Sequence, residues 1–125
     1  MIEYFNASDI KRQIDTIIDL LNFDHIRPES IYCIRSRGSR ARRIIARIHG
    51  LSRIWQEVMG LEPAYIIEVV AERFDYMTEE DQEKSLIHEL LHIPHGFKGG
   101  FRPHRGYVNR ETVETWYKRL QQQKK

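Results

Sequence analysis

The 125-residue sequence predicts an α+β fold, with residues 1–125 forming one domain around a small twisted sheet of three strands. Three observations carry that expectation. Apolar residues recur at helical spacing in separate segments. Short β-branched runs bounded by turn residues mark about three strands. No linker, internal repeat or low-complexity stretch divides the chain.

Residues 8–22 (SDIKRQIDTIIDLLN) place Ile10, Ile14, Ile17, Ile18 and Leu21 on one face of a helix, with Ser8 or Asn6 as its cap and Asn22 as its end. Residues 23–29, with Pro28, connect it to a strand over 30–37 (SIYCIRSR). Gly38-Ser39 is a turn signal, and residues 42–48 (RRIIARI) are expected to return as a second strand, paired with the first as a hairpin. Gly50 breaks the chain, Ser52 caps a short helix over 53–59, and Gly60 ends it. Residues 64–72 (AYIIEVVAE) form the clearest strand.

Thr78, with Glu79, Glu80 and Asp81 in the following turn, is the strongest helix start; the helix runs to Leu91 or Ile93, where Pro94 stops it. Residues 94–107 hold four glycines and two prolines and form a loop. A last helix opens at Asn109 and runs through Val113, Trp116, Tyr117 and Leu120.

Composition narrows the function classes. With 41% hydrophobic and 30% charged residues the chain is globular rather than disordered. No apolar run approaches the roughly 18 residues that span a bilayer, and MIEYFNASDI has neither the basic nor the apolar region of a signal peptide, so no membrane partner is expected. Cys33 is the only cysteine, so no intramolecular disulfide forms. That points to a reducing, cytoplasmic setting and to Cys33 as a small buried hydrophobe. A monomer is expected, with Trp55 and Trp116 as core anchors.

Histidine is the informative residue. Four of the six fall between His88 and His104, and His88-Glu89-Leu90-Leu91-His92 is an HExxH motif within the expected helix. Residues four apart share a helix face, so His88 and His92 can converge on one Zn²⁺, while Glu89 reaches a water on the metal as general base without ligating it. About 0.03 such motifs are expected by chance at this composition. Catalytic zinc usually takes three protein ligands, so a third comes from downstream. His104 ranks first, because the Lys98–Phe101 glycine turn can bring the chain back over the metal; His95, Glu111 and Glu114 stay as alternatives.

The segment IHELLHIPHGFKGGFRPH (residues 87–104) resembles the signature of small metallopeptidases encoded by archaea and phages, and YCIRSRGSRARRIIARIHGLSRIWQ (residues 32–56) resembles their N-terminal half. These are similar to the SprT-like group of minimal zincins. The resemblance implies a zincin-like core of backing helix, small sheet, HExxH helix and C-terminal helix. It also implies one Zn²⁺ per chain with His104 as third ligand, and hydrolysis of a peptide or protein substrate. Oxyanion or cleft roles fall to His95, Arg102, Arg105 or Tyr107. It further suggests that residues 64–72 form an edge strand to which an extended substrate adds. A non-catalytic or latent zinc domain, its cleft covered by the KGGF loop or the C-terminal tail, is the alternative.

The second feature is charge. Between Glu29 and Glu57 there is no acidic residue, and that window holds seven arginines. Arg35, Arg37, Arg40, Arg42 and Arg43 are candidate nucleic-acid contacts, a role that SprT-like relatives acting on DNA-bound protein make attractive. The favoured reading is a solvated hairpin whose charges pair with Glu68, Glu72 or the acidic start of the next helix, because strand alternation sends the arginines to opposite faces.

Overall fold

The computed structural model describes residues 1–125. In chain order the elements are β1 (Glu3–Asn6), α1 (Ser8–Leu20), β2 (Ile31–Arg37), β3 (Ala46–Gly50), α2 (Arg53–Met59), β4 (Tyr65–Val70), α3 (Ala71–Phe74), α4 (Glu79–Leu91) and α5 (Arg110–Gln123). The fold is α+β with a mixed four-stranded sheet in the order β1-β2-β4-β3. No helix is long and apolar enough to cross a membrane.

The most apolar strand sits inside the sheet. β4 (YIIEVV) is buried at five of its six positions, so it needs a neighbour on each edge. β2 pairs with it in parallel (Cys33 opposite Ile67) and β3 in antiparallel fashion (Ile48 opposite Ile67). This corrects two expectations. β2 and β3 are not a hairpin, because β4 lies between them. The strand at the cleft edge is β3, not residues 64–72. The second strand also begins at Ala46, which leaves Arg42 and Arg43 in the preceding loop.

The fourth strand, β1, is exposed along its whole length and pairs antiparallel with β2 through backbone alone. Neither Asn6 nor Ser8 caps α1: Asn6 ends β1, Ser8 is the first helical residue, and Ala7 between them offers no side-chain cap. Asn22 does end the α1 segment, in the left-handed region at φ 53°.

One sheet face carries the core. Ile10, Ile14 and Ile17 of α1 pack with Ile31, Cys33 and Ile67 of the sheet and with Leu86, Ile87 and Leu90 of α4. Burial pushes the Cys33 thiol up to about 12, so it behaves as the inert hydrophobe expected. Trp116 is half-buried and meets Phe23 edge-on at 4.9 Å between ring centroids. Trp55 is not a core anchor: α2 exposes it at 58%, beside exposed Ile54, Val58 and Met59.

The opposite face holds a charged cluster. Arg47 donates from Nε (2.9 Å) and Nη2 (3.1 Å) to the Glu68 carboxylate, and His49 Nε2 donates at 2.8 Å. Burial alone would raise the Glu68 pKa, but these donors and the Arg47 charge outweigh it and bring the carboxyl down to about 2. On the core-bearing face, two residues beyond Cys33, Arg35 forms a two-point pair with Asp9 of α1 (2.6 and 2.7 Å) and also reaches Asp75 at 3.1 Å.

Candidate metal centre

α4 brings the first two histidines together. Thr78 Oγ1 accepts from the Asp81 amide at 3.2 Å and starts the helix. Its last turn presents His88, and His92 caps its C-terminal end, with ring centroids 5.1 Å apart. His104 closes a triangle with them, at 5.3 Å from His88 and 4.6 Å from His92. Each ring offers one nitrogen, and these atoms lie within 4.8 Å of one another.

The donor chemistry fits a divalent metal. Burial, helped by the neighbouring His92 and His104, pushes the His88 imidazole down to about 4, so the ring is neutral and its lone pair free at neutral pH. His92 is also shifted down by burial. His92 Nδ1 lies 2.8 Å from the Arg102 carbonyl, which can only accept; the proton is therefore on Nδ1 and Nε2 is left for a metal.

The 94–107 loop is tied down at several points, which is how it delivers His104. The Arg102 amide donates to the His92 carbonyl at 2.7 Å, making a second bond beside the His92–Arg102 contact. The buried Tyr65 hydroxyl donates to the Gly100 carbonyl (2.8 Å) and accepts from the Gly99 amide (2.9 Å). Gln56 of α2 bridges the Leu51 and Lys98 carbonyls, at 2.8 Å each. Gly50 and Gly99 meet backbone to backbone, where a Cβ on either would collide with a carbonyl oxygen. Beyond His104, one turn leads to Asn109, whose side chain and that of Thr112 form a reciprocal cap for α5.

Glu89 lies beside the three histidines, 7% exposed. Burial alone pushes its carboxyl up to about 8, since no cation or hydrogen-bond donor faces it. It borders two adjoining cavities of about 720 and 460 Å³, which share Ile44, Ala46, His88 and Glu89. Together they form a cleft between α4 and the unpaired edge of β3.

The other candidate ligands stay outside the histidine triangle. His95 stacks against His25 at 4.4 Å, away from the histidine triangle. Glu114 is held by Lys84 at 2.7 Å, and Glu111 is exposed outside the cluster. Of the proposed oxyanion residues only Arg102 borders the cleft, with its guanidinium over the Tyr107 ring at 5.2 Å. His95 and Tyr107 line a separate cavity behind the loop, and Arg105 is exposed. The KGGF loop is not a free flap, because Tyr65 and Gln56 hold it. The C-terminal tail is held away from the cleft by the Lys124–Glu83 pair at 2.6 Å.

Among the arginines, Arg35 and Arg47 are consumed by ion pairs, whereas Arg37, Arg40, Arg42 and Arg43 make none. The sequence pointed to none of the supporting residues Tyr65, Gln56 and the Arg102 backbone. A tyrosine opening an aliphatic strand was the one available signal, since a buried phenol needs a polar partner.

Residues 2–123 match the family model described as "Putative phage metallopeptidase", and the chain belongs to that family. No curated protein and no solved structure matches the chain.

Proposed function

We propose that this chain is a zinc-dependent peptidase of the minimal zincin type, with residues 1–125 forming one catalytic domain. One Zn²⁺ per chain is held by His88, His92 and His104. When bound there, the ion supplies Lewis-acid polarisation of the scissile carbonyl and acidifies water. Glu89 takes the proton from the attacking water and returns it to the leaving amine. A nearby dication draws the Glu89 pKa down from its raised value, so the carboxylate is available as a base at neutral pH.

The free edge of β3 gives an extended substrate a row of backbone partners along the cleft, in the manner of strand addition. Arg102, bordering the same cleft without an ion pair, is the cation we assign to the developing oxyanion. A reducing cytoplasmic setting suits the lone, inert Cys33.

The observation that carries this reading is a buried carboxyl group without a partner, set beside three clustered imidazoles in an open cleft. Burying such a group costs free energy and contributes nothing to the core. The test is zinc content together with hydrolysis of a mixed peptide library, before and after chelation. The expected result is about one zinc per chain, lost in His88→Ala and His104→Ala, with hydrolysis that disappears on chelation and returns with zinc. Unchanged zinc in His104→Ala would move the third ligand. A melting temperature that falls on chelation, with no peptide cut under any condition, would make the metal structural.

A further inference from the structure

Arg37, Arg40, Arg42 and Arg43 have no ion-pair partner within the chain, yet the fold holds their loop in place. The loop between β2 and β3 is pinned at three points. Glu72 accepts from the Gly38 amide at 2.7 Å, the Ile45 carbonyl accepts from Val70 at 2.8 Å, and Arg73 reaches the Ile44 carbonyl at 3.3 Å. Arg40, Arg42 and Arg43 are exposed on this anchored loop immediately before the edge strand. Arg43 also borders the larger half of the cleft, as does Arg110 at the first position of α5, likewise exposed and without an ion pair. The charges between them are largely satisfied: Lys84 bonds both Glu80 (2.8 Å) and Glu114 (2.7 Å), which leaves Asp81 against the two arginines.

Strand direction decides what meets these side chains. Antiparallel pairing is the more stable per residue, and β3 already pairs that way with β4. A peptide added antiparallel to β3 crosses Glu89 and His88 opposite Ala46. Its carboxyl-side residues then run back past Ile45 and Ile44 to Arg43 and Arg42.

We infer that Arg42, Arg43 and Arg110 form a subsite for acidic side chains on the carboxyl side of the scissile bond, so that the substrates are protein segments with Asp or Glu just after the cleaved position. This rests on the peptidase reading above. A nucleic acid fits the same loop less well. Tight duplex binding draws on many phosphate contacts, roughly six to ten. Here Arg35 and Arg47 are already committed to carboxylates, and Asp81 and Glu72 flank the free arginines.

The test uses fluorescein-labelled decapeptides with a common amino half and three Glu, three Gln or three Lys in the carboxyl half. Cleavage is measured with the zinc-loaded protein, and binding by anisotropy with zinc-loaded Glu89→Gln; a 20-base-pair DNA duplex is titrated in parallel. The Glu peptide is expected to bind and to be cut at least about fivefold better than the Gln peptide, with the Lys peptide last, and the difference to lie in KM and shrink at high salt. Arg42→Glu/Arg43→Glu reverses the order, Arg42→Gln/Arg43→Gln flattens it, and Arg12→Glu, on the exposed side of α1, leaves it intact. Equal cutting of the three peptides, or an order unchanged in the double variants, overturns the inference while leaving the peptidase standing. Duplex binding tighter than any peptide and lost in Arg42→Glu/Arg43→Glu also overturns it, assigning the loop to nucleic acid. Preserved binding order with no hydrolysis of any peptide removes the peptidase reading and keeps the subsite.

Discussion

Glu68 and Glu89 are buried to a similar degree, 2% and 7% exposed, and their surroundings oppose one another. Glu68 lies under Arg47 and His49, which donate three hydrogen bonds and bring its carboxyl down to about 2. Glu89 has no hydrogen-bond or ion-pair partner, and burial pushes its carboxyl up to about 8. Glu83, the third buried glutamate, is paired with Lys124 at 2.6 Å. Burial alone therefore does not single out Glu89; burial without a partner does. Glu68 and Glu83 are supplied with cations from their own chain, whereas Glu89 is not.

The contrast is broken most directly at the histidines. His104→Ala should lower zinc affinity by 100-fold or more, because a three-ligand set becomes two. His49→Ala, which removes one donor from Glu68, should leave zinc content unchanged; equilibrium dialysis separates the two. If both variants lost zinc equally, the two clusters would not be functionally distinct.

Glu68→Gln comes next. It strips a charge from a pair whose Arg47 is 32% exposed, so the loss should be about 2–3 kcal/mol in denaturant unfolding, with zinc content retained. The pH dependence follows from the same shift. A carboxyl held near 2 in the folded protein against a usual 4.5 contributes stability above pH 4.5, lost as pH falls towards 2. Acid unfolding of Glu68→Gln should therefore be shallower across that window.

The smallest expected effect is at the loop anchor. Tyr65→Phe removes both hydroxyl bonds to Gly99 and Gly100, and should cost about 1–2 kcal/mol while speeding zinc loss. An unchanged zinc off-rate would mean that the His92–Arg102 contacts alone hold the loop.

The sequence made the local features legible. His88, Glu89 and His92 share a helix whose cap and stop are written in Thr78 and Pro94, and His104 follows from a glycine-rich return. Non-local pairing was not legible. Nothing in residues 42–48 says whether they join the strand before or the strand after, and the answer depends on how apolar β4 is on both faces. β1 was missed because all four of its residues are exposed and it shows no alternation. Tyr65 on an aliphatic strand signals only that a phenol there needs a polar partner; which partner is not legible, because its partners are backbone atoms more than 30 residues away. Acidic partners for the arginine window were expected from strand alternation, and Arg47 does meet Glu68; that Arg35 meets Asp9 and Asp75 instead depends on non-local packing.

The central claim is that Glu89 is buried without a partner because it moves the proton in peptide hydrolysis. Zinc content and kcat/KM on one peptide, measured side by side for the wild-type protein and Glu89→Gln, test it most directly. The expected result is about one zinc per chain in both and a fall in kcat/KM on the order of 10³ in the variant. Equal hydrolysis by the two zinc-loaded proteins would contradict it.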